Sequence, residues 1–135
     1  MNQTPATNIF NQTVFDEMPS NLKKIVEIGT GSGALANAYK QVNPNTKYIG
    51  VEIDAGYADL SKRYCDKVYL ENFESPSTDL INELSDTDLV IFSDVLEHMY
   101  DPWKVLDRLA KSLPTNSSVI ASIPNTQHWS LQKAI

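Results

Sequence analysis

A chain of 135 residues is the size of one domain and is long enough to bury a single core. Its 41% hydrophobic and 21% charged residues match a soluble globular protein rather than a disordered or fibrous one. A net charge of −6, eleven Lys and Arg against seventeen Asp and Glu, argues against wrapping nucleic acid or lying on anionic lipid. No nucleic-acid or membrane partner is expected. Cys65 is the only cysteine, so an internal disulfide is excluded and a reducing, cytoplasmic setting is expected. The start, Met1-Asn2-Gln3-Thr4-Pro5, has neither the basic nor the apolar part of a signal peptide. No apolar run approaches the roughly 20 residues of a membrane span. Cys and His are too few for a zinc motif, so no metal is expected.

Residues 1–20 read as a loose arm in which Ile9, Phe10, Val14 and Met18 mark a short helix before Pro19. Residues 21–135 read as the folded domain. Ile25-Val26-Glu27-Ile28 is a β-rich run ending at glycines, the first strand. Ala34 to Tyr39 is rich in helix formers and stops before Asn43-Pro44. Tyr48 to Ile53 is the second strand. Tyr57 to Tyr64 reads as a helix with Leu60 and Tyr64 on the face of Tyr57. Lys67 to Leu70 is a short third strand, and Leu80, Ile81 and Leu84 mark the next helix. Asp88 to Phe92 is continuously apolar after its first residue, as a strand buried on both faces should be. Trp103, Leu106, Leu109, Ala110 and Leu113 recur at helical spacing before Pro114, which places Trp103 in the core. Ser118 to Ile123 is the fifth strand, and His128-Trp129 reads as a packed segment following it. Alternating strands and helices imply a parallel sheet covered on both faces, with ligands outside the carboxyl ends of the strands.

The chemistry gathers at those ends. Glu27-Ile28-Gly29-Thr30-Gly31-Ser32-Gly33 joins the first strand to the first following helix. Glycine is needed where a turn is tight or where a ligand lies against the backbone. The free amides of the helix start point into the same space. Gly29, Gly31 and Ala34 also satisfy the dinucleotide fingerprint G-x-G-x-x-G/A, so the loop alone leaves a nicotinamide cofactor open. Glu27 tips the balance. A carboxylate there repels a pyrophosphate but suits the ammonium and sulfonium of S-adenosylmethionine (SAM). Glu52 ends the second strand, where one carboxylate matches two ribose hydroxyls, with Asp54 a competitor for that role.

The glycine loop resembles the E/D-x-G-x-G-x-G motif of class I SAM-dependent methyltransferases. Tyr48-Ile49-Gly50-Val51-Glu52 resembles their second strand with its terminal acid. Phe92-Ser93-Asp94-Val95-Leu96-Glu97-His98-Met99, followed by Asp101-Pro102-Trp103, is similar to the "DVLEHL.DPW" signature after strand four. Ala121 to Asn125, followed by His128-Trp129, is similar to the "SIPN..HW" segment. The best match is the UbiG-like and type 11/23 group, over about residues 20–130.

The resemblance implies a Rossmann-like three-layer α/β/α fold with a mostly parallel sheet in the order 3-2-1-4-5. It implies that Glu27, Gly29 and Gly31, with Thr30 and Gly33 of the same loop, line the methionine part of SAM. Glu52 would hold the ribose and Ile53 would pack on the adenine. Asn72, where the family often has Asp, would accept from the adenine amino group, beside Phe73. Ser93 and Asp94 would flank the cofactor.

The family's last two strands find no place in the dozen or so residues after Ile123. This leaves strand five a bare edge that a second copy or another partner would cover. Little chain remains to build an acceptor pocket. Methyl transfer to a small-molecule acceptor is the leading expectation. A SAM-binding or product-binding module without a complete active site is the alternative, and an NAD-dependent oxidoreductase the more distant one. His98, Asp94 and Glu97 are the candidate bases should the acceptor need to lose a proton.

Overall fold

The computed structural model describes residues 9–123 and the backbone of residues 128–132. Six strands form one sheet in the order β3-β2-β1-β4-β5-β6. They are β1 (Lys24–Ile28), β2 (Lys47–Glu52), β3 (Lys67–Leu70), β4 (Leu89–Ser93), β5 (Ser118–Ser122) and β6 (His128–Gln132). The first five are parallel and stand in the expected order.

β6 corrects two expectations. It runs antiparallel to β5, pairing Ser122 with His128 and Ser118 with Gln132. β5 is therefore not a bare edge, and residues 128–132 are a strand rather than a packed segment. The outer amides and carbonyls of β5 need partners, and a chain that doubles back after Ile123 supplies them. So short a return must be antiparallel, because a parallel one needs a crossover of a dozen or more residues. No second copy is needed to cover β5. The edges among the described strands are β3 and β6. Residues 124–127, which carry the rest of the "SIPN" similarity, lie outside the described residues.

Helices α1 (Gln12–Glu17), α2 (Ala34–Val42), α3 (Ala55–Ser61), α4 (Thr78–Glu83) and α5 (Pro102–Ser112) flank the sheet. Side chains alternate along each strand, so β1 sends Ile25 and Glu27 to one face and Val26 and Ile28 to the other. On the Ile25 face, Val14 and Met18 from the α1 segment and Leu35, Ala36 and Tyr39 of α2 pack on Tyr48, Cys65 and Ile91. On the Val26 face, Leu80 of α4, Leu84 just after it, and Val105 and Leu109 of α5 pack on Ile49, Val90 and Phe92. Cys65 is a small core residue, as its type suggests. Four helices begin at a side-chain cap: Asn11, Asp54, Ser77 and Asp101, the last followed by Pro102.

Two details differ from the sequence reading. Trp103 is 79% exposed. The buried face of α5 is set by Val105 and Leu109, and Trp103 lies two residues before Val105, roughly 200° around the helix. α3 stops at Ser61 and buries Ala58 and Ser61, not Tyr57 and Leu60. Its contact with the glycine loop selects small residues, since a Cβ on Gly33 would lie 3.0 Å from the Ser61 Cα.

Candidate cofactor site

The loop after β1 holds three glycines at positive φ, +81° at Gly29, +57° at Gly31 and +90° at Gly33. Two of them answer to the protein itself. A Cβ on Gly29 would lie 2.4 Å from the Val95 Cγ1 and 2.9 Å from the Ser93 carbonyl oxygen. Gly33 is the left-handed N-cap of α2. Gly31 is different, because a Cβ there would meet nothing within 4 Å. Its bare face looks into open space, as the backbone approach of a ligand requires. The loop is pinned to β2 by Gly29 and Thr30, whose amides donate to the Val51 carbonyl at 2.8 and 3.2 Å.

Two clefts open on either side of this loop. One, about 220 Å³, is lined by Phe10, Asn11, Glu27, Thr30, Ser93 and Asp94 among others. The second, about 380 Å³, is lined by Glu52, Ile53, Asn72, Phe73, His98 and Met99 among others. Gly29, Gly31, Tyr57 and Ser93 line both, so the clefts meet over the loop. Each cleft has one carboxylate from a strand.

Glu27 is 2% exposed and faces the first cleft. Thr30 Oγ1 donates to its Oε1 at 3.1 Å, the Tyr48 hydroxyl to the same oxygen at 2.7 Å, and Ser93 Oγ to Oε2. Burial pushes its pKa up to about 7, against the pull of the three hydroxyls. Glu52 is held differently. Its Oε1 accepts from the Gly31 amide at 2.8 Å, and its Oε2 accepts from the Ile53 and Asp54 amides at 3.1 and 3.0 Å. It stands at the cleft and also ties the loop to the tip of β2. Its competitor, Asp54, caps α3 through the Tyr57 amide and lines neither cleft.

Ile53 is 69% exposed, an apolar wall for the second cleft. Asn72 lines that cleft while its Oδ1 accepts from the Glu74 amide at 2.9 Å. Phe73 is 3% exposed and sits edge-on to Phe92 at 6.1 Å, so most of its ring is committed to the core. Asp94 has φ +55°, and its amide is bonded to Ser122. A non-glycine residue held there is strained, and it lines the first cleft. Of the candidate bases, His98 lines the second cleft, with its imidazole Nε2 3.4 Å from a Glu97 carboxylate oxygen. Glu97 lines neither.

Sequence reasoning missed Tyr48, Tyr57, Val14 of α1, and Asn11 and Phe10 just before that helix. Tyr48 passed for a strand residue, because only the pairing of β1 with β2 brings its hydroxyl to Glu27. Gly50 was read as an ordinary member of the strand. In fact a Cβ there would lie 2.8 Å from the Thr30 Cγ2, so the absent side chain makes room for Thr30 under the loop.

A family model described as a methyltransferase domain matches residues 26–118. The chain belongs to the methyltransferase domain family. No curated protein matches it in sequence. Among solved structures, the complex between the Haloferax volcanii Trm112 methyltransferase activator and a methyltransferase superposes with a TM-score of 0.70 at 17% identity, over 87% of this chain and 51% of that one. The plantazolicin methyltransferase BpumL in complex with SAH gives 0.64 at 15%, over 82% and 41%. Coclaurine N-methyltransferase bound to N-methylheliamine and SAH gives 0.67 at 13%, over 82% and 35%. At these identities the likeness is one of fold. The chain spans about half the length of the first of these relatives and less of the others. Family membership sets the nicotinamide reading aside. Among the described residues no helix is long and apolar enough to cross a membrane, and no group of side chains could hold a metal ion.

Proposed function

We propose that this methyltransferase domain binds SAM across the glycine loop and passes its methyl group to a small-molecule acceptor. The observation that carries this reading is the junction of the two clefts at Gly31, a bare left-handed backbone with a carboxylate on each side. Residues 21–135 act as the cofactor-binding domain, with the helix from residues 1–20 as one wall. Glu27, Thr30, Gly29, Gly31, Ser93 and Asp94 take the methionine end. Glu52 takes the ribose, and Ile53, Asn72 and Phe73 take the adenine. Burial of Cys65 fits a reduced, cytoplasmic protein.

When bound, SAM supplies a methyl group already activated on a sulfonium, with S-adenosylhomocysteine (SAH) as the product. The chain's own task is then orientation, which contributes about 7–11 kcal/mol in well-aligned systems. Gly29 and Gly31 let the backbone approach, Glu27 supplies negative charge, and Glu52 fixes the loop. His98 or Asp94 could receive a proton at the cleft if the acceptor must lose one.

Calorimetric titration tests the reading. SAM should bind and NAD should not, whereas NAD binding without SAM binding would overturn it. Glu52→Ala should weaken SAM at least tenfold. It should also loosen the loop, because three amides lose their acceptor, a larger structural cost than a plain strand-tip acid implies. A second reading is SAM or SAH binding without transfer. SAM binding with no SAH formed across amine, phenol and carboxylate acceptors would select it.

A further inference from the structure

Glu27 is buried without a cation. Its two oxygens meet three hydroxyls, from Thr30 in the loop, Tyr48 on β2 and Ser93 on β4. The other titratable groups near it are acidic or neutral: Glu52 at the tip of β2, Cys65 after α3, and Asp94 on the cleft. No Lys, Arg or His is among the described residues lining the cleft it faces. A buried carboxylate with no counter-charge is costly to ionise. Hydroxyls tolerate both of its states. A backbone N–H can only donate, whereas a Ser or Thr hydroxyl rotates and can donate to a carboxylate or accept from a carboxylic acid.

We propose that Glu27 exchanges its proton for the ligand: the empty site carries the carboxylic acid, and the ammonium and sulfonium of SAM enter as its counter-charge while the carboxyl O–H bond breaks and the proton leaves to solvent. Tyr48 and Thr30 are positioning residues for that carboxyl. The inference rests on the SAM reading above. Its consequence is that SAM affinity depends on pH, rising by up to about tenfold per pH unit below neutrality, levelling off near it and falling again once the ligand's own amine loses its proton.

Calorimetry on the full 135-residue chain at pH 6.5, in buffers of different ionisation enthalpy, counts the protons released on SAM binding. At this pH the ligand's own amine stays protonated, since its reference pKa is about 7.7–8.0. With Glu27 near 7 when empty, about three quarters of a proton should leave per SAM bound. A neutral analogue that lacks the amino acid, 5′-methylthioadenosine, should release none.

Glu27→Gln should abolish the release. Tyr48→Phe, which removes one donor to the carboxylate, should move the midpoint of the affinity–pH curve upward. A merely structural role for Tyr48 would leave that midpoint alone. SAM binding by the wild type with no proton released overturns the inference and leaves the SAM reading intact. Absence of SAM binding at any pH overturns both. The wild-type count needs no variant to fold.

Discussion

The two ends of β1 each bury a charge, and they treat it in opposite ways. At the amino end Lys24, 6% exposed, sits between Glu83 and Asp86, with Asp86 at 2.7 Å. Burial alone would lower its pKa, but the bonds to Asp86 and Glu83 outweigh that and raise it. At the carboxyl end, three residues on, Glu27 is as deeply buried and has only hydroxyls. One end closes its charges on each other, and those pairs serve the fold. The other holds a carboxyl with no positive partner beside an open cleft, the arrangement on which the proposed SAM site rests. The glycine loop and the two clefts that meet over it lie at that same end.

Variants can break or sharpen this contrast. The largest effect belongs to the closed end. Lys24→Met leaves Glu83 only the more distant and more exposed Lys67, at 3.9 Å, and should lower unfolding stability by about 3 kcal/mol in urea titration. A negligible loss would show that the pair is not a fixed part of the fold.

Glu27→Gln should act with the opposite sign. The native pKa of about 7 lies above the ordinary carboxylate value of 4.5, so the folded state binds more protons between these values. Glu27 therefore reduces stability as pH rises from about 4.5 to 7, and its removal should be stabilising at pH 8, by up to about 3 kcal/mol. At pH 4 the two proteins should unfold alike, and SAM binding should be weaker in the variant at pH 8, with the gap closing as pH falls and Glu27 is protonated. Stability curves of the two proteins at pH 4 and pH 8 check the sign directly.

Gly31→Ala should cost about 1 kcal/mol of stability through its left-handed φ and reduce SAM affinity far more than that, since its Cβ would stand in the cleft. An equal loss of stability and no change in affinity would take Gly31 out of the site. The smallest effect is expected at Trp103→Ala, within about 0.5 kcal/mol by thermal unfolding, because the side chain lies on the outer face of α5.

Much of this molecule is written in local pattern. The order of strands and helices followed from apolar runs and their breakers, and β3 was placed to the residue because its short run is bounded on both sides. The loop was legible since alternating glycines after a strand have few other uses. Trp103 was misplaced because the 3- and 4-residue spacing of α5 fits two overlapping faces, and burial of Val105 selects one. β6 escaped notice because its strand character depends on the unpaired edge of β5, a demand that no local sequence displays.

The sequence by itself therefore determined the alternating fold, the glycine loop and the two acidic strand tips, which are properties of neighbouring residues and of hydrophobic period. Only the tertiary structure decided what those acids are. Tyr48 and Ser93, far from Glu27 in the chain, join nearby Thr30 in supplying its hydroxyls, and the distant Gly31 joins the strand tip in supplying the amides around Glu52. The physical reason is that the state of a charge is set by burial and by the donors that surround it, and both come into being only when β1, β2 and β4 pack side by side.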